Sequence, residues 1–172
     1  MLLNVQELVT RKEPVILQES IDVTSLFAEM RDATPLGPLH AQLTAIAADG
    51  IVNVTGTLTG KLQLLCSRCL TPLEGEYEFP YEETFKHVSQ EVAARGEQDD
   101  EDFVPFHGER LELRPYVEEE LMLSLPLAPL CKEDCKGLCP DCGQNRNEQA
   151  CQCQQHKIDP RLEALKGWKP QA

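Results

Sequence analysis

The chain has 172 residues, a formal net charge of -13 and eight cysteines, with 41% hydrophobic and 5% aromatic residues. That length suits one domain, or one domain with a small metal module, and the charge argues against a generally basic nucleic-acid binder. No apolar run approaches the roughly 20 residues of a membrane span. The start, MLLNVQELVTRKEPV, lacks the basic-then-apolar pattern of a signal peptide, so a reducing, cytoplasmic location is expected.

Residues 1 to 37 carry short signals. Val5 to Val9 reads as a brief strand or helix, and Pro14 to Leu17 as a strand entry extended by Ile21, Val23 and Leu26. Asp22 or Thr24 suits the cap of a short helix through Met30. Thr34 to Pro38 reads as a loop. From Leu39 the pattern turns to period two: Leu39, Ala41, Leu43 and Ala45 alternate with polar partners, and Asp49-Gly50 follows as a hairpin signal. Val52, Val54 and Leu58 alternate with Asn53, Thr55, Thr57 and Thr59. Gly60-Lys61 reads as the next tight connection, after which Leu62, Leu64 and Cys66 share a face. Tyr77, Phe79, Tyr81 and Phe85 share a face in a further strand. The expected result is an antiparallel meander of about four strands.

The acids are concentrated from Glu74 to Glu120, and Gly96 to Asp102 reads as a solvated acidic loop, without the alternating ligand positions of a calcium site. Pro115 is well placed to open a helix. Val117, Leu121 and Leu125 give it an apolar stripe, with Glu118, Glu119 and Glu120 on the outer side near its positive end. Pro126 and Pro129 end it and lead into Cys131. The fold class is therefore α+β: an antiparallel meander with a packed helix and a C-terminal cysteine-rich module. Residues 1–130 form the body, and residues 131–172 the module and a mildly basic tail.

Six cysteines lie between Cys131 and Cys153, spaced C-x3-C-x3-C-x2-C-x8-C-x-C, and Cys66-Ser67-Arg68-Cys69 supplies a pair upstream. Thiolates two or three residues apart reach one tetrahedral ion from a single turn. Eight of them make two four-thiolate sites, and such closed sites are structural, with no open position for catalysis. Loop closure favours Cys139, Cys142, Cys151 and Cys153 as one site, leaving Cys66, Cys69, Cys131 and Cys135 for the other. A rival pairing, Cys131, Cys135, Cys139 and Cys142 against Cys66, Cys69, Cys151 and Cys153, stays open at this level. Disulfides are disfavoured by the expected compartment. A redox dithiol is disfavoured because Cys66 follows a strand and does not open a helix. His156 reads as a surface residue, and His40, His87 and His107 have no partner pattern.

Three stretches, LCKEDCKGLCPDCGQNRNEQACQC with the following DPRLEAL, CSRCLTPLEGEYEF, and VEEELMLSLPLAPLC, resemble the YceD family of bacterial and plastid proteins over roughly residues 50 to 166. Arg146 departs from the aliphatic residue expected between the two asparagines. The resemblance implies a factor that supports synthesis, processing or stability of 23S rRNA and assembly of the large ribosomal subunit. Its expected partners are 23S rRNA or a large-subunit precursor particle, with a ribosomal protein or rRNA-processing enzyme as a further candidate.

Cations for phosphates are available at Arg68, Lys132, Lys136, Arg146, Lys157, Arg161, Lys166 and Lys169, interspersed with Glu133, Asp134, Asp141 and Glu148. Arg161 and the tail offer a second role, docking through Leu162, Leu165 and Trp168. The rival function is an acidic protein-interaction module that binds a ribosomal protein or processing enzyme without touching RNA. No H-E-x-x-H helix, phosphate-cradling glycine loop or nucleophile-base spacing appears, so no enzyme is expected.

Overall fold

The computed structural model describes residues 1–11, 13–88, 103–153, 161 and 163. The acidic stretch from Gly96 to Asp102, His156, and the tail residues Lys157, Leu162, Leu165, Lys166, Trp168 and Lys169 lie outside the described residues. The chain divides into two compact units. The first comprises 1–64 and 72–127, the second 65–71 and 128–172.

The first unit is a mixed α+β structure. In chain order, and with their boundaries, its elements are β1 (Leu2–Asn4), α1 (Val5–Arg11), β2 (Val15–Ile21), β3 (Ala33–Pro35), β4 (Leu39–Ala48), β5 (Ile51–Leu65), β6 (Pro72–His87), β7 (Val104–Phe106), β8 (Arg110–Glu112) and α2 (Arg114–Ser124). A six-stranded sheet runs β2-β4-β5-β6-β7, with β3 also on β5, and β1 pairs with β8 in a separate two-stranded sheet. The pairings β2–β4, β3–β5 and β4–β5 are antiparallel, and β6–β7 is parallel.

The β4–β5 hairpin turns at Asp49 and Gly50, whose φ values of 53° and 81° are both left-handed. A two-residue hairpin loop that follows the strand twist demands that conformation, which glycine adopts freely and aspartate tolerates. Farther along the pair, a Cβ on Gly56 would stand 2.1 Å from the carbonyl oxygen of Gln42, so the close approach of β4 excludes any side chain there.

The expected turn at Gly60-Lys61 does not exist. β5 continues unbroken to Leu65, and Val52, Val54, Leu58, Leu62 and Leu64 all point to the core. Gly60 falls in phase with this series and packs on Leu39. Unbroken parity across a glycine is the mark of a continuing strand. The loop expected from Thr34 is likewise displaced, because Ala33–Pro35 pairs with Leu62–Leu64, and Leu36 N donates to Lys61 O at 2.8 Å.

No helix follows Asp22. Its carboxylate accepts from Thr24 N at 2.9 Å and Thr24 Oγ1 at 2.7 Å, an Asx turn that competes with helical bonding. The segment then continues as successive i to i+3 turns that bury Val23 and Phe27.

Helix α2 begins at Arg114 with Pro115 in its first turn, stapled by Arg114 to Glu118 at 2.7 Å. Its first turn holds no acid, so the glutamates lie beyond the reach of the positive end, and Glu120 is half-buried. Val117 and Leu121 are fully buried, each worth about 1.5–3 kcal/mol of transfer free energy. Tyr116 meets Phe85 of β6 edge-on at 4.9 Å, within the favourable range for aromatic pairs. Leu125 ends the helix in extended geometry, as expected of a residue before proline. No helix among the described residues is long and apolar enough to cross a membrane.

Candidate metal centres

The second unit brings the eight cysteines together as two groups: Cys66, Cys69, Cys131 and Cys135, and Cys139, Cys142, Cys151 and Cys153. Within each group all four Sγ atoms lie within 4.8 Å of one another. The rival grouping that the spacing leaves open is not the one the chain assembles.

The first group starts at a reverse turn. Leu70 N donates to Cys66 O at 2.9 Å and Cys66 N to Thr71 O at 3.0 Å, which folds Cys66 and Cys69 toward the same point. The tightness of this turn forces Leu70 to a left-handed φ of 58°. The other two ligands are held against it by main chain: Ser67 N donates to Pro129 O and Leu138 N to Arg68 O. Cys66 Sγ lies 3.8 Å from Cys135 Sγ, and Cys69 Sγ lies 3.6 Å from Cys131 Sγ. A tetrahedron with metal–sulfur bonds of about 2.3 Å has edges of about 3.8 Å, whereas a disulfide needs about 2.05 Å. All eight cysteines are free thiols, and the spacing fits four ligands around one ion.

The second group closes a small hairpin. Arg146 N donates to Gly137 O at 2.9 Å and Cys139 N to Gln144 O at 2.8 Å, with Leu138 and Asn145 bridged between them. Gly143, at φ 73°, turns the chain and donates its amide to Cys139 O at 2.9 Å. Cys139 is buried, Cys142 is exposed, and Cys151 and Cys153 are half-buried.

The electrostatics of both groups call for a cation. At Cys66, burial opposes the thiolate, but the amides of Cys131, Arg68 and Cys69 outweigh it and hold the thiol down at about 6. At Cys139 the amides of Cys142 and Asp141 do the same, again to about 6. Cys131 is pushed up to about 12 by desolvation of its sulfur and by the thiols of Cys135, Cys69 and Cys66. Cys153 is pushed up to about 12 by Cys142, then by burial and Cys139. Cys135 is lowered as well, burial being outweighed by the Asn147 side chain and the Gly137 amide. The first group thus favours thiolates at Cys66 and Cys135, and the second at Cys139. Each resists ionisation of a further thiol, a resistance that a divalent ion at the centre would reverse. Both groups can hold a metal ion.

Four residues that the spacing alone did not single out support these centres. Asn147 donates Nδ2 to Cys135 Sγ at 3.3 Å, and Thr71 Oγ1 lies 3.1 Å from Cys69 Sγ. Asn145 orients Asn147 by accepting from its amide N and its Nδ2 at 3.0 and 2.9 Å. Gly137 passes so close to Arg68 that a Cβ would stand 2.9 Å from its carbonyl oxygen. The usable sequence signals were a glycine between Cys135 and Cys139 and paired asparagines in the next cysteine loop.

The candidate phosphate-binding cations fare differently. Arg68 directs its guanidinium to the carbonyls of Cys135 and Glu133, at 2.9 and 3.3 Å. Lys132 lies 3.8 Å from Asp134, Lys136 is exposed, and Arg146 is half-buried. Arg161 is exposed. Of the histidines without a partner pattern, His40 meets Ser20 Oγ at 2.9 Å and His87 packs edge-on against Phe106.

The profile of a family described as "Large ribosomal RNA subunit accumulation protein YceD" matches residues 54–169, which include all eight cysteines. This chain belongs to the YceD family. An uncharacterized protein of Mycobacterium tuberculosis is 34% identical over 92 residues, 54% of this chain and 44% of that protein. An uncharacterized protein of Mycobacterium leprae is 28% identical over 106 residues, 62% of this chain and 48% of the relative. The YceD-family chain spans less than half the length of these mycobacterial relatives. The uncharacterized protein YlbN of Bacillus subtilis is 24% identical over 156 residues, 90% of this chain and 87% of YlbN. No solved structure matches the chain.

Proposed function

We propose that this YceD-family protein is a non-enzymatic, cytoplasmic factor that supports synthesis, processing or stability of 23S rRNA and assembly of the large ribosomal subunit. In this reading each cysteine group holds one structural zinc ion. The observation that carries it is the coincidence of the two four-thiol groups with the family match. Four thiolates around zinc leave no open position, so the ions would supply folding energy and no chemistry. Residues 1–130 act as the body and residues 131–172 as the module and tail, with the Cys66–Cys69 turn contributing ligands to the module.

Direct contact with rRNA, or with a large-subunit precursor, would run through Lys132, Lys136, Arg146 and the tail cations Lys157, Arg161, Lys166 and Lys169. Arg68 contributes less in this reading, because its guanidinium is engaged by carbonyls. The deciding experiment is the ratio of 23S to 16S rRNA in cells depleted of the protein, with rescue by the wild-type gene. A selective, rescued fall in 23S rRNA supports the role, and an unchanged ratio overturns it.

A second reading is favoured by β6, whose outward face bears the exposed Glu74, Glu76, Glu78 and Glu82. Among the described residues none of these has an ion-pair partner. A row of carboxylates repels phosphates and suits a basic protein segment, such as one on a ribosomal protein or a processing enzyme. Binding to naked rRNA that weakens steeply with salt favours the first reading. Association only in the presence of a protein partner favours the second.

A further inference from the structure

Asn147 belongs to the loop that the second cysteine group closes, between Cys142 and Cys151, yet its amide serves the first group. Its Oδ1 accepts from Lys136 N at 2.8 Å, and its Nδ2 donates both to Cys135 Sγ at 3.3 Å and to Asn145 Oδ1 at 2.9 Å. Both amide hydrogens and the oxygen are therefore committed, and the side chain has one orientation. What holds Asn147 there is the small hairpin of Gly137–Cys139 against Gln144–Arg146. Cys139 and Cys142 sit at the turn end of that hairpin, while Cys135 and Asn147 flank its open end. Closing the turn with an ion at the second group would fix the segment that carries Asn147, which follows directly on the bridged Asn145. A donor fixed on a ligand sulfur strengthens metal retention, and loss of such a partner typically costs 10–100-fold in affinity.

We propose that the two metal centres are coupled through Asn147, so that loading of the Cys139, Cys142, Cys151 and Cys153 group tightens metal binding at the Cys66, Cys69, Cys131 and Cys135 group. Asn147 is a positioning residue, acting through Cys135 and not on the ion. Coupling of this kind is reciprocal: an ion at the first group raises affinity at the second by the same factor. The module then tends to fill both centres together. This inference rests on the reading of both groups as metal sites.

The test is titration of the full apo chain with Co2+, read by thiolate charge-transfer absorption and by competition with a chelator. The variants are Asn147→Asp, Cys142→Ser with Cys153→Ser, and all three combined. Asn147→Asp keeps the acceptor for Lys136 N and the main-chain bond from Asn147 N to Asn145 Oδ1, and removes the donors to Cys135 Sγ and Asn145 Oδ1. Disabling the second group is expected to weaken the first about tenfold or more. Asn147→Asp alone should do the same, and adding it to the double serine variant should cause no further loss. If the double serine variant fails to load at all, Asn147→Asp decides. Because coupling is reciprocal, weakened filling of the second group in that variant supports coupling, and wild-type filling of the second group overturns it. An equal loss from Asn147→Asp in both backgrounds makes Asn147 a purely local support and overturns coupling. Absence of any thiolate absorption in the wild type overturns the metal reading itself, a result distinct from two independent sites.

Discussion

Gly137 stands against Arg68 at a distance that admits no side chain: a Cβ at residue 137 would lie 2.9 Å from the Arg68 carbonyl oxygen and 3.3 Å from its Cβ. The same residue has a φ of 71°. Gly137→Ala therefore adds a left-handed penalty of about 1–2 kcal/mol to a clash with main chain. It is expected to loosen the first cysteine group and lower its metal retention, measured by release to a chelator at fixed pH. Retention equal to wild type would show that the turn yields freely.

Cys139→Ser or Cys142→Ser should unfold the second unit around its hairpin, because metal binding in such a site is coupled to folding. The expected readouts are loss of metal from the purified protein and faster proteolysis after Cys135. Equal metal content and thermal stability in mutant and wild type would remove this claim.

Metal uptake should release protons, fewer than four per centre near pH 7.5. Cys66 and Cys139, held at about 6, are already thiolates there, whereas Cys131 and Cys153, pushed up to about 12, give up their protons only to the ion. The sign follows directly. The depressed thiols, Cys135 among them, contribute stability that is present above the ordinary thiol range, and that of Cys66 and Cys139 is lost as pH falls through about 6. Metal affinity should fall as pH drops, because protons compete with the ion for the thiolates. Calorimetry in buffers of different ionisation enthalpy counts the protons, and a count of four or more would contradict the assignment.

Glu83 occupies an inward position of β6 between Tyr81 and Phe85. Burial raises its pKa, opposed by the Thr84 amide and reinforced by Glu120 and Glu119. A raised carboxylate binds more protons when folded, so the first unit should gain stability as pH falls from neutral toward that raised value. Glu83→Gln should stabilise at neutral pH by about 0.5 kcal/mol, the small size reflecting solvent screening. Melting curves at pH 5 and pH 7.5 check it: the gain should shrink at the lower pH.

Charge reversal at Lys157, Arg161, Lys166 and Lys169 should weaken rRNA association and flatten its salt dependence, by roughly 0.7–0.9 in logarithmic slope for each phosphate no longer neutralised. Filter binding across a salt series measures both. An unchanged slope would move the RNA surface elsewhere or favour the protein-partner reading.

Much of the sheet was legible because period two is a local property. Leu39 to Ala45, Asp49-Gly50 and Val52 to Leu58 carry their pairing on their faces. Gly60-Lys61 misled because a glycine beside a lysine is also how a turn is written, while the unbroken parity from Val52 to Leu64 is visible only when the whole run is counted. Ala33–Pro35 was illegible for a different reason. Three residues have no period, and they become a strand only because the long β5 offers an edge beyond the end of β4.

For the cysteine groups, spacing was enough to mark eight cysteines as candidate metal ligands in two sets, because two thiols in one turn can reach one ion whatever the rest of the chain does. Composition and the helix stripe were enough for an α+β body. Loop closure favoured the grouping that forms, but its cost rises too slowly with length to exclude Cys151 in place of Cys131 as a partner of Cys66. Tertiary structure decided between them. It alone placed Arg68 on carbonyls and Asn147 on a neighbouring centre's sulfur. A hydrogen bond between residues 12 or 67 positions apart is made by the path of the main chain between them, and no local pattern encodes that path.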